Sequence, residues 1–171
     1  MIKGKTIALI AHDARKADMV DWVKYNTLVL AKNNLVCTGT TGRLVKSAMV
    51  EQLKTSFAES EPKIINMTDS FVESLIELEC KESGPMGGDA QIAAMVVEGK
   101  IDMCIFLIDD LSANPHEADI QMLLRQCRIH NIPVACNRYT ADLMITSDLW
   151  DGEYKPTEPT YTSFDRNGTE D

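Results

Sequence analysis

IDMCIFLIDDLSANPHEADIQMLLRQC, residues 101–127, decides the fold. Ile101–Ile108 is the clearest strand in the chain. Its unbroken apolar run, Met103–Ile108, reads as a core strand and is far too short to cross a bilayer. A polar loop opens with Asp109 and Asp110. Pro115–His130 then reads as a helix, with Ile120, Leu123, Leu124 and Cys127 on one face and His130 as a charge at its C-terminal end. Strand, polar loop, helix is the repeating unit of an α/β fold.

The same unit recurs on both sides. Upstream, Thr6–Ala11 (TIALIA) predicts a buried strand and Arg15–Leu30 a helix carrying Met19, Val20, Val23 and Leu30. Leu35–Thr38 predicts a second strand, GTTG at 39–42 a turn, and Thr41 the start of a helix with Leu44, Val45 and Ala48. Downstream, Ile132–Cys136 predicts a strand and Ala141 the start of the last helix. The expected architecture is a three-layer, doubly wound, mostly parallel sheet in one domain over residues 1–150. Residues 54–82 read as an inserted segment with an amphipathic helix around Phe71–Leu78, and 151–171 as a polar tail.

Composition narrows the function. A net charge of −9 argues against nucleic acid, whose backbone needs a basic face. A local pocket of N–H groups and one or two cations can still hold a small phosphorylated ligand. The five cysteines form no CxxC pair, so reduced thiols, a cytoplasmic location and no zinc site are expected. His12 and Asp13 arrive too early for a signal peptide.

In sheets of this kind, ligands bind beyond the carboxyl ends of the strands. That rule selects AHDARK (11–16), TGTTG (38–42), DDLSANPHEAD (109–119) and CNRYTAD (136–142), and SGPMGGD (83–89) adds a fifth loop. In SGPMGGD, glycines let a ligand approach the main chain, and Asp89 is either a functional carboxylate or the N-cap of a helix. In TGTTG, Thr38, Thr40 and Thr41 either converge on an oxyanion or cap a helix. His12, Asp13 and Lys16 can project at the first strand's end, where Lys16 suits phosphate and Asp13 suits a cap. His116 and Asp119, at i and i+3, share a helical face, and histidine beside carboxylate suits proton transfer. Asp109 ends the strongest strand. G-x-S-x-G and HExxH are both missing, so covalent catalysis has no strong candidate.

Taken together and in this order, these motifs resemble the methylglyoxal synthase family: AHDxxK, TGTTG, SGPMGGDxQ, PHxxD and N-x-x-TAD, here with Gln91, Asn137, Thr140 and Asp142 as the further members. The resemblance implies a cofactor-free, metal-free lyase. It would convert dihydroxyacetone phosphate to methylglyoxal and inorganic phosphate, with phosphate also an allosteric inhibitor and a homohexamer as the assembly. It assigns Asp89 as catalytic base and His116 as proton shuttle, with Asp119 its acidic neighbour. Lys16, Thr38, Thr40, Thr41, Ser83 and Gly84 match phosphate-binding positions, and His12, Asp13 and Asp109 further active-site positions. The alternative is a non-catalytic regulatory module of the same fold that binds phosphate or a metabolite. Arg166 in the tail is a further candidate for a phosphate or a subunit contact.

Overall fold

The computed structural model describes residues 4–60, 68–113, 115–152 and 157; Arg166 and most of the tail lie outside them. The strands are β1 (Thr6–Ala11), β2 (Asn34–Cys37), β3 (Leu78–Cys80), β4 (Met103–Leu107) and β5 (Val134–Ala135). The helices are α1 (Lys16–Leu30), α2 (Gly39–Ser60), α3 (Asp69–Glu73), α4 (Gly88–Val97), α5 (Glu117–Ile129) and α6 (Arg138–Ile145). The five strands form one sheet in the order β3-β2-β1-β4-β5, and every pairing is parallel.

The alternation of side chains along β1 builds two cores. Ile7, Leu9 and Ala11 face one way and pack with Met19, Trp22 and Val23 of α1 and Val45 and Met49 of α2. Ala8 and Ile10 face the other way and pack with Ile92 and Val96 of α4 and Ile120 and Leu123 of α5. Each fully buried Leu or Ile contributes roughly 1.5–3 kcal/mol. The sheet is thus covered on both faces, which is why β1 and β4 read as continuous apolar runs. Among the described residues, no helix is long and apolar enough to cross a membrane.

Two expectations change. GTTG is not a turn: α2 starts at Gly39, so Thr40 and Thr41 occupy its first turn. The helix expected around Phe71–Leu78 is only Asp69–Glu73, capped by the Thr68 side chain, and the chain then enters β3. Its strand LEC carries a glutamate and, among the described residues, pairs on one side alone, with β2, so it lacks the hydrophobic pattern that marks a central strand.

Candidate active site

β1 and β4 are neighbours, but the helices that follow them lie on opposite faces. The loops leaving the two strands therefore diverge and open a crevice, the usual ligand site of a doubly wound sheet. A cavity of about 650 Å³ lies there. It is walled by the loops after β1, β2, β3 and β4. Eleven of the twelve residues given a catalytic, phosphate-binding or active-site position from the sequence line it: His12, Asp13, Lys16, Thr38, Thr40, Thr41, Ser83, Gly84, Asp89, Asp109 and His116.

Asp89 lies in the first turn of α4 and is 1% exposed. It is not the cap of that helix, because Gly87 holds the N-cap position. Among the described residues, neither carboxylate oxygen has a hydrogen-bond partner. Burial pushes the Asp89 pKa up, the His116 and His12 rings pull it down less, and the Asp119 carboxylate adds to the rise. His116 Nε2 lies 3.3 Å from Asp89 Oδ2 and is not aligned as a hydrogen bond. If the ionised form is the active one, the acidic limb of a kcat–pH profile is expected above the ordinary carboxylate value of about 4. A profile flat down to that value would contradict a role for Asp89 as base.

His116 occupies the N-cap position of α5 with φ −109° and ψ 30°. Its carbonyl accepts the Asp119 and Ile120 N–H groups at 3.0 and 3.2 Å. This non-helical backbone takes the His116 side chain out of helical register with Asp119. Asp119 consequently does not line the cavity and acts on Asp89 through its charge.

His12 follows β1, and its Nδ1 accepts the Asp109 backbone N–H at 2.9 Å. Its ring proton therefore resides on Nε2, which is buried and has no hydrogen-bond partner among the described residues. The two imidazoles meet edge to face with centroids 6.0 Å apart. His12 Nε2, His116 Nδ1 and both Asp89 oxygens account for four buried polar atoms left unpaired around one cavity. Native interiors rarely leave such groups unpaired away from functional sites.

Also in the cavity wall, Thr38 and Thr41 are buried and Thr40 is exposed. The Thr38 hydroxyl donates to that of Thr41, which donates to the Ala11 carbonyl, each at 3.4 Å. The first N–H groups of α2 point out of the helix end, where an anion is favoured. Lys16 supplies a cation, and it pairs with the exposed Asp13, whose pKa it lowers.

In the SGPMGGD loop, a Cβ on Gly84 would lie 2.9 Å from His116 Nε2 and 3.3 Å from Asp89 Oδ2. One on Gly88 would lie 2.1 Å from the Glu82 carbonyl oxygen. Neither Gly87 nor Gly88 lines the cavity: Gly88 allows close packing against the Glu82 backbone, and Gly87 supplies a left-handed backbone with φ 92° at the start of α4. Gln91 anchors this loop through its side-chain oxygen, which accepts the Glu82 N–H at 2.9 Å.

The fifth loop, CNRYTAD, does not reach the cavity. Asn137 instead caps α6, accepting the Thr140 N–H at 2.9 Å. β5 is the outermost strand on its side, and α6 leaves it toward the α1 face, away from the crevice. Ser112 lines the cavity without having been singled out. Its signal was a turn-forming serine three positions after Asp109.

A family model described as an MGS-like domain matches residues 18–136. The chain is 52% identical to the methylglyoxal synthase of Treponema socranskii, covering 96% of this chain and 92% of that protein. It is 39% identical to that of Maridesulfovibrio salexigens, covering 96% and 97%. The crystal structure of methylglyoxal synthase from Elizabethkingia anophelis NUHP1 superposes with a TM-score of 0.73 at 34% identity, covering 98% of this chain and 93% of that one.

Proposed function

This chain belongs to the methylglyoxal synthase family, and from that premise we propose that it converts dihydroxyacetone phosphate to methylglyoxal and inorganic phosphate, with Asp89 as base and His116 as proton shuttle. The observation that carries the assignment is a buried carboxylate without a hydrogen-bond partner among the described residues, beside an imidazole, in a cavity also lined by threonines at a helix N-terminus and a lysine.

The substrate's phosphate lies against Lys16, Thr38, Thr40, Thr41, Ser83 and Gly84, with Asp13 orienting Lys16. Asp89 takes a proton from the hydroxymethyl carbon, and the electron pair forms the carbon–carbon double bond of an enediolate. His12 Nε2–H donates to the developing oxyanion, while His116 removes the proton from the neighbouring hydroxyl. That oxygen's electrons then re-form a carbonyl, the double bond migrates, and the C–O bond to phosphate breaks with its pair leaving on phosphate. The enol left behind gains a proton on carbon and becomes methylglyoxal. Burial suits Asp89 to this task, since a base whose pKa is raised toward the working pH is a stronger acceptor. Each step moves only protons and electron pairs, so neither metal nor cofactor enters.

The same proposal includes a cytoplasmic homohexamer inhibited by inorganic phosphate. Exposed Tyr25 and Leu28 on α1, and Tyr139 and Leu143 on α6, offer apolar surface for assembly.

The test is release of phosphate and trapped methylglyoxal from dihydroxyacetone phosphate in the presence of EDTA. Equal molar yields of the two products are expected. No turnover, together with saturable phosphate binding, would instead point to the non-catalytic regulatory module.

A further inference from the structure

Glu82, just before SGPMGGD, joins two parts of the site through its backbone. Its N–H donates to the Gln91 side-chain oxygen on α4 at 2.9 Å. Its carbonyl accepts the N–H of Gly39, the first residue of α2, at 3.0 Å. α4 carries Asp89, and α2 opens with Thr40 and Thr41 of the phosphate cradle. The two helices pack on opposite faces of the sheet, and neither core holds residues of both. α4 meets this backbone at a second point, where the Gly88 N–H donates to the Ser83 carbonyl at 2.9 Å. The two ties lie three residues apart in the helix, and Asp89 lies between them. Gly88 lets α4 come this close, since a Cβ there would lie 2.1 Å from the Glu82 carbonyl oxygen.

We propose that Gln91 is a positioning residue: by holding the Glu82 N–H it fixes Asp89 relative to the phosphate cradle. The substrate is gripped by its phosphate and loses a proton from a carbon at its other end. The span between cradle and base therefore sets whether the carboxylate reaches that proton. The Glu82 peptide defines this span, tied to α2 by its carbonyl and to α4 by its N–H. The partner of an N–H must be an acceptor, so the Gln91 amide has to present its oxygen. Gln91 and Glu82 are both exposed, so water can replace the amide when it is removed. The fold then loses little, and the fixed geometry is what goes.

The inference rests on the elimination proposed above, and the test separates the two. Gln91→Ala and Gln91→Glu are compared with the wild type for kcat and KM on dihydroxyacetone phosphate. Binding of inorganic phosphate is measured by calorimetry. The isotope effect on kcat is read with deuterium at the hydroxymethyl carbon. Gln91→Ala is expected to lower kcat about 10-fold, the scale of a small displacement of a catalytic group. Its phosphate affinity and binding stoichiometry should match wild type, and its isotope effect should be no smaller. A variant that merely unfolds in part would lose stoichiometry instead. Gln91→Glu, which keeps an acceptor oxygen at the same reach, is expected to restore kcat. Wild-type kcat in Gln91→Ala, or equal losses in both variants, would overturn the role of Gln91 and leave the elimination standing. No turnover by the wild type would sink the elimination, and this inference with it.

Discussion

Asp89→Asn is expected to lower kcat by about 1,000-fold, within the range a positioned general base contributes. The amide has the shape of the carboxyl group but cannot accept a proton from carbon. The same substitution is expected to stabilise the fold, and the sign follows from burial. Because the Asp89 pKa is raised in the folded protein, the folded state binds this proton more tightly than the unfolded chain. That contribution to stability is fully present below the unfolded carboxylate value of about 4 and is lost as pH rises through the higher folded value. At neutral pH the ionised, unpartnered group therefore opposes folding, and asparagine removes the charge. The expected rise in Tm is about 2–4 °C, the effect of about 1 kcal/mol in a chain of this size. Loss of turnover together with a higher Tm separates a dedicated base from a residue that merely supports the fold. Wild-type turnover in a folded Asp89→Asn protein would overturn the assignment.

Gly84→Ala is expected to lower kcat by about 100-fold while leaving the protein folded. Gly84 lies outside the left-handed region, so alanine can adopt its backbone angles. The added methyl meets the tip of His116, 2.9 Å away, and the Asp89 carboxylate, 3.3 Å away. An imidazole tip can swing aside where a backbone atom cannot, so the cost falls on catalytic geometry and not on stability. The contact between His116 and Asp89 should open and proton transfer should slow. Adding Gly84→Ala to Asp89→Asn is expected to reduce kcat little further, because both changes disable one unit. Thermal melting and steady-state kinetics on the single and double variants check both halves. Full additivity would show that Gly84 acts elsewhere, for example only on phosphate binding.

Much of this site is legible in the sequence. The apolar runs TIALIA and MCIFLI, each followed by a polar loop and a helix, required a layered sheet with its ligand site beyond the strand ends. Of the twelve candidate residues named from the motifs on those loops, eleven line the cavity. These features are local: strand and helix periodicities repeat over a few residues, and loop chemistry is written in adjacent letters.

What the sequence could not decide is non-local. β3 was missed because an edge strand paired on one side need not be apolar, and its LEC is recruited by the backbone groups of β2. The i, i+3 spacing of His116 and Asp119 promised a shared face, but a non-helical backbone at His116 left Asp119 outside the cavity. The spacing N-x-x-T matched a motif, yet in the fold it is a helix cap at Asn137. The pKa of Asp89 belongs to the tertiary structure alone. It depends on water excluded by strands and loops from across the chain and on a histidine 27 positions away, and dielectric and distance are properties of the folded arrangement.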